Sequence, residues 1–158
     1  MTTTLSPGVT PVEEVKRLSG LEFLTAIKEG RLPPPPIAHT LGFTLTEVEE
    51  GRALFVGTPG FQLYNPIGSV HGGYIATLLD SCMSCAVHTT APAGFGYTTV
   101  EIKVNFVRAV TDRTGPVRAE GRVINAGKRI GTSEGRLTDA QGKLLAHGTA
   151  TCLIFPLQ

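Results

Sequence analysis

Residues 65 to 90 decide how this chain folds: Asn65-Pro66-Ile67-Gly68-Ser69-Val70-His71-Gly72-Gly73, then Tyr74-Ile75-Ala76-Thr77-Leu78-Leu79-Asp80-Ser81-Cys82-Met83-Ser84-Cys85-Ala86-Val87-His88-Thr89-Thr90. A polar, Gly-rich turn leads into a stretch from Tyr74 to Thr90 whose one formal charge is Asp80. Apolar and small side chains there leave no polar stripe, so a helix over these residues is enclosed on most sides. It is too short, and too interrupted by Asp80, to span a membrane. A carboxylate inside a buried helix is costly unless something pairs with it or uses it. Asp80 is therefore the place to look for chemistry.

The rest of the chain bounds the answer. Its 158 residues suit one domain with one core. A composition of 41% apolar and 17% charged residues is that of a globular protein, and the count of 19 glycines is high. A net charge of +1 gives no global field toward nucleic acid or a membrane surface. The N-terminus lacks a basic segment followed by an apolar run, so no secretory signal is expected. Three cysteines cannot all pair. Cys82 and Cys85 are spaced as a CxxC, but only Cys152 remains to join them, so buried free thiols in a reducing cytoplasm are expected, with no metal.

Working outward, residues 1 to 11 are polar, with Pro and Gly, and are expected to be mobile. From Val12 to Glu29 apolar residues recur at a near-regular three-residue step that suits a helix. Ser19-Gly20-Leu21-Glu22 matches a capping box, so two short helices meeting at Ser19 fit as well, the second ending at Gly30. Pro33 to Pro36 predict a non-helical, extended strap. From Gly42 the pattern turns to strands. Gly42 to Glu49 and Ala53 to Thr58 form a hairpin about Glu50-Gly51. After the central helix and a loop at Ala91 to Gly96, Tyr97 to Val110 alternates. Val100, Ile102, Val104 and Phe106 face one way; Thr99, Glu101, Lys103 and Asn105 face the other. Val117 to Asn125, Arg129 to Thr138 and Lys143 to Phe155 complete a predicted four-strand meander. A hairpin, one buried helix and a meander imply an α+β fold, with an antiparallel sheet of about six strands curled around the helix. Residues 1–41 form an N-terminal extension and 42–158 the main domain.

This layout, with Asn-x5-His-Gly-Gly-x6-Asp at Asn65, His71, Gly72, Gly73 and Asp80, resembles the hotdog-fold acyl-CoA thioesterases of the phenylacetate-type (PaaI-like) group. The likeness runs from about Gly42 to Phe155 and includes Thr98-Thr99-Val100-Glu101-Ile102-Lys103-Val104-Asn105-Phe106 after the helix. It implies hydrolysis of acyl- or aryl-acyl-CoA thioesters to free acid and CoA without a cofactor. It further implies shared sites in a homodimer, commonly assembled as a homotetramer.

The resemblance also supplies roles. Gly72 and Gly73 at the helix start, where backbone N–H groups lack intrahelical partners, suit an oxyanion hole, although they also suit a tight turn. Asp80 would be the general base or the nucleophile. Asn65 would hold the thioester or the water, or simply form the turn before Pro66. His71 would fix the turn or take part directly. Two hydroxyls compete to position water: Ser84, one helical turn after Asp80, and Thr99 on the following strand. Lys128 and Arg129, with Arg108, are candidates for the CoA phosphates, or are solvated turn charges. Tyr74, Phe61, Phe95 and Tyr97 would line an acyl pocket or pack in the core. No GxxxxGK[ST] or GxGxxG occurs, which argues against ATP or NAD.

Two rivals remain at this stage. A hotdog dehydratase or hydratase would use a histidine with a carboxylate, in the positions of His71 and Asp80. A non-catalytic acyl-CoA sensor is the other. The N-terminal 40 residues carry no basic cluster for DNA, so no nucleic-acid partner is expected. Every candidate catalytic group lies at or beyond Asn65, so residues 1 to 30 are expected to be dispensable for turnover.

Overall fold

The computed structural model describes residues 5–158. Six strands form one antiparallel sheet: β1 (Phe43–Glu49), β2 (Arg52–Gly57), β3 (Phe95–Phe106), β4 (Val117–Ala126), β5 (Ile130–Thr138) and β6 (Leu144–Pro156). Its spatial order is β1-β2-β4-β5-β6-β3. Three helices precede the sheet, α1 (Val12–Val15), α2 (Gly20–Lys28) and α3 (Pro36–Leu41). The long helix α4 (Gly72–His88) lies on the sheet's inner face, as its lack of a polar stripe requires.

The sheet makes room for α4 with small residues. Gly121 on β4, Gly131, Ser133 and Gly135 on β5, and Ala146 and Ala150 on β6 are buried. A Cβ at Gly121 would overlap the Cys82 carbonyl, and one at Gly135 would come within 2.7 Å of Met83 Cγ. Ser133 Oγ donates to the Met83 carbonyl at 2.9 Å. Helix and sheet are thus in near-backbone contact, and the high glycine count has part of its explanation here.

Several expectations need correction. The strand after the helix does not open a meander. Strands β4, β5 and β6 do run antiparallel in succession, but β3 pairs with β6 at the sheet edge and β2 pairs with β4. The reason is the connection: β3 ends at Phe106, not Val110, and residues 107–116 carry the chain across before β4. The proline strap is also shorter than expected. Pro35 is extended, with φ −65° and ψ 140°, but Pro36 is the first residue of α3. Proline suits that position, because its ring presets φ and its missing N–H would have no helical partner. The N-terminal periodicity resolves into the two-helix alternative. Ser19 Oγ accepts from the Glu22 N–H, and Glu22 reaches back to the Ser19 N–H at 2.8 Å.

The mobile-terminus expectation concerns residues 1 to 11, of which 1–4 lie outside the described residues. Beyond them the chain is docked: the Gly8 N–H donates to the Pro34 carbonyl at 3.0 Å, and Thr10 is buried. Gly20, at the start of α2, meets the His88 backbone so closely that a Cβ would overlap its carbonyl. Leu24 and Ala38 of the extension belong to the same buried cluster as Leu78, Leu79 and Met83 of α4.

Candidate active site

His71 is the N-cap of α4, and its Nδ1 accepts from the Gly73 N–H at 2.8 Å. That bond requires the Nδ1 lone pair, so the neutral ring carries its proton on Nε2. Gly73 is thereby engaged within the cap. Among the described residues nothing accepts from the Gly72 N–H. It points out at the positive end of a 17-residue helix.

Asn65 holds the turn ahead of the helix. Its Oδ1 accepts from the Ile67 and Ser69 N–H groups, at 3.0 and 3.2 Å, and its Nδ2 donates to Ser69 Oγ at 3.0 Å. Asn65, Gly72, Phe106 and Arg108 line one open cleft of about 280 Å³ at the helix N-terminus.

Asp80 lies elsewhere. It is half-buried, eight residues along α4 from Gly72, so about 12 Å away along the axis. Thr99 Oγ1 donates to Asp80 Oδ1 at 2.9 Å. The alternation read from the sequence assigns Thr99 to the strand's polar side, away from Ile102, Val104 and Phe106. A β-bulge between Thr99 and Glu101 corrects this. One extra residue reverses the parity. Tyr97 and Thr99 before the bulge, and Val104 and Phe106 after it, all contact the helix side. No residue type in Thr98-Thr99-Val100 signals a bulge.

Ser84 is not at the carboxylate. It is buried one turn further on, its Oγ 3.5 Å from the Tyr97 hydroxyl, at the limit of a hydrogen bond. Cys85 Sγ stands 4.0 Å from the same hydroxyl, and the His88 ring packs on Tyr97 and Phe23, centroids 4.7 and 5.6 Å apart. Burial lowers the His88 pKa to about 4, and the ring is neutral at pH 7. Burial likewise pushes the Cys85 thiol up to about 12. Cys82, Cys85 and Cys152 are all free and buried. Among the described residues no three metal-ligating side chains converge.

The three candidate cations are not together in one protomer. Arg108 lines the N-terminal cleft, whereas Lys128 lies in a groove with Pro92 and Phe95 near the C-terminal end of α4. Lys128, Arg129 and Arg108 are exposed, with no ion pair among the described residues. The four aromatics also separate. Phe61 is on the surface and Phe95 in the Lys128 groove. Tyr74 is buried beside Gly57 with its hydroxyl unpartnered, and burial raises its pKa to about 12. Tyr97 lines a cavity beneath the N-terminal extension, with His88, which sequence reading passed over.

A capped helix start, a half-buried carboxylate paired with a strand hydroxyl and a sheet wrapped around one helix now stand beside a family match. Residues 67–146 match the family described as the thioesterase superfamily. The chain belongs to the thioesterase superfamily. Its fold is the hotdog fold, and its solved neighbours include PaaI-like proteins. A phenylacetic acid degradation-related protein of Ralstonia eutropha is 28% identical, with a TM-score of 0.75 over 83% of this chain and 98% of that one. The PaaI protein of the E. coli phenylacetic acid degradation operon, at 22% identity, TM-score 0.68 and coverage of 77% and 84%, shares the fold. Among curated proteins, the 1,4-dihydroxy-2-naphthoyl-CoA hydrolase of Listeria monocytogenes is 25% identical over 75% of this chain and 94% of its own length. A Saccharolobus solfataricus protein, named provisionally as an esterase, is 28% identical over 75% and 77%. No described helix is long and apolar enough to cross a membrane.

Proposed function

We propose that this protein hydrolyses acyl- or aryl-acyl-CoA thioesters at sites shared between two subunits. The observation that carries the reading is the Thr99–Asp80 pair, a carboxylate held by one hydroxyl on a helix otherwise enclosed by apolar side chains. Asp80 takes the proton from a water that Thr99 helps to hold, and the hydroxide attacks the thioester carbonyl. In the alternative route the carboxylate attacks first and water opens the resulting anhydride. Either way the oxyanion is stabilised by the Gly72 N–H at the helix start. Collapse expels the CoA thiolate, which is then protonated. Asn65, His71 and Gly73 hold the turn that aims this N–H, with Asn65 lining the cleft. The CoA hydrolase and the provisional esterase among the relatives agree with a hydrolytic reaction.

The shared site follows from distance. Gly72 and Asp80 of one helix are about 12 Å apart, too far to serve one carbonyl, to which both must approach to roughly 3 Å. Two helices antiparallel across a twofold axis bring the start of one to the middle of the other. β3 supports this assembly: it is an edge strand with Val100 57%, Ile102 37% and Phe106 56% exposed, an apolar stretch that a second sheet would cover. Pairing of such dimers gives the homotetramer. Lys128, Arg129 and Arg108 are the cations for the CoA phosphates, drawn from two ends of the molecule that a dimer can bring to one ligand. Free buried thiols suit a cytoplasmic setting.

The hydratase reading needs an imidazole able to move a proton, and with His71 Nδ1 accepting from the Gly73 N–H only Nε2 is left for that task. Thiol release from a panel of aliphatic and aromatic acyl-CoAs tests the proposal. Release with at least one class is expected; none across the panel, with the protein folded, overturns it.

A further inference from the structure

Two cavities, of about 280 and 320 Å³, lie between the N-terminal extension and the main domain. Both are lined by Leu24, Ile27, Pro35 and Cys85, so they adjoin. One continues toward Ala38 and the inward-facing Phe43 and Phe55, the other toward Tyr97 and His88. Their outer wall is α2, the proline strap and α3; the floor is β1, β2 and Cys85 in the first, and Cys85 and His88 of α4 with Tyr97 of β3 in the second. The second floor connects to Asp80 by the geometry of α4 and β3. Thr99 contacts Asp80; two residues earlier on the same strand face, Tyr97 contacts Ser84, one turn after Asp80. These are successive rungs between β3 and α4, and the space begins at the second, about 6 Å along the axis from the carboxylate.

We propose that residues 8–41 form the outer wall of the pocket that receives the substrate's acyl group, so that this chain's own extension determines which thioesters it accepts. The inference rests on the thioesterase reading for its substrate. The lining fits a neutral apolar guest and no other. The residues deep in it are aliphatic or aromatic apart from the Cys85 thiol and the Thr10 hydroxyl, and the charged-type side chains on its margin, Lys28 and His39, are exposed. The buried titratable groups facing it, His88, Cys85 and Tyr97, are uncharged at pH 7: burial holds the first two so, and the Cys85 thiol, then burial, raises the Tyr97 hydroxyl well above its usual value. A carboxylate carried into its interior would meet no cation, since Lys28 stands at the exposed rim. The size is that of a small-ligand site, typically about 300–1,000 Å³. The wall is held on by close contact: the Gly20 N–H donates to the Ala91 carbonyl at 3.0 Å, and Gly20 abuts His88.

The test uses the full chain and three substitutions, each checked for folding by circular dichroism. Ile27→Trp fills the space from α2, Ala38→Phe fills it from α3, and Leu24→Ala enlarges it. The specificity constant is measured with straight-chain acyl-CoAs from acetyl to dodecanoyl and with succinyl-CoA. Wild type is expected to gain about fourfold per methylene until the space is full, the factor that corresponds to burying one CH2, and to discriminate against succinyl-CoA. Each filling variant lowers the octanoyl-to-acetyl ratio at least tenfold, and Leu24→Ala moves the optimum to a longer chain. In parallel, hexanoate, octanoate and decanoate are titrated calorimetrically, which needs no turnover. Carboxylate binding that strengthens with length and is lost in the filling variants supports the pocket even if no thioester is hydrolysed, in which case the functional reading alone falls. An unchanged chain-length ratio in a folded filling variant, or binding indifferent to the substitutions, overturns the pocket.

Discussion

Ser84 belongs to α4 and Thr99 to β3 facing it, but only Thr99 Oγ1 meets Asp80, at 2.9 Å. Thr99→Ala is therefore expected to lower kcat on a reactive acyl-CoA by about 10- to 100-fold, with Asp80→Asn costing 100-fold or more. Ser84→Ala is expected to change kcat by less than about threefold. Equal losses for Ser84→Ala and Thr99→Ala would contradict this assignment. His88 gives a second prediction, on stability. Its pKa is 6.5 when free and about 4 in the fold. Between those values the unfolded chain binds a proton that the folded chain refuses. Its contribution is therefore complete above pH 6.5 and is lost as pH falls toward 4, by up to about 3 kcal/mol. Melting temperature recorded from pH 7 to 4 is expected to fall less steeply for His88→Phe than for wild type; parallel curves would show that this ring does not govern the slope. The acid, the glycine turn and the two rival hydroxyls were legible in the residues. The choice between the hydroxyls was not, because a bulge that no residue announces decides which way Thr99 points.

Among the elements, α4 depends on the sheet's lack of side chains beneath it. Gly121 is the tightest point on β4, because a Cβ there would overlap the Cys82 carbonyl, which belongs to backbone and cannot rotate away. Gly121→Ala is expected to destabilise the protein by about 3 kcal/mol or more, a loss in the class of severe core overpacking. Chemical denaturation measures it, and a change below about 1 kcal/mol would mean that α4 can lift from the sheet without cost. The helix itself was legible from residues 74–90, since composition alone forced its burial. Gly72 and Gly73 stand at its start as the glycine turn suggests, while the capping bond of the His71 imidazole is an interaction that no residue pattern shows. The short helix α3 was missed for the opposite reason. Four consecutive prolines read as a strap, yet the last of them is also a good first residue of a helix.

For the whole molecule, the α+β class and the single enclosed helix were readable, while the strand order was not. Sequence adjacency suggested a meander, and pairing of β3 with β6 across the sheet is a long-range choice that local alternation does not encode. The same holds for the phosphate cations, which the sequence offers as one set and the fold separates. With Lys128 in its groove and Arg129 beside it in the β4–β5 turn, Lys128→Ala with Arg129→Ala is expected to raise KM for acyl-CoA several-fold more than it lowers kcat. The penalty should shrink for an acyl-pantetheine lacking the nucleotide, as for any uniform binding energy lost at a remote phosphate. An unchanged KM would put the nucleotide elsewhere.

The shared site is the claim on which the account turns, and subunit complementation tests it most directly. Asp80→Asn removes the acid. Gly72→Pro removes the N–H at the first helical position, where proline preserves the helix and the Phe106 ring, 3.1 Å from an added Cβ, has to give slightly. Each protein alone is expected to be inactive. After mixing and random exchange, about half of the dimers are hybrid, and each pairs one intact turn with one intact Asp80. The account predicts recovery of about a quarter of wild-type activity. No recovery, with exchange demonstrated by mass-tagged subunits, would contradict it.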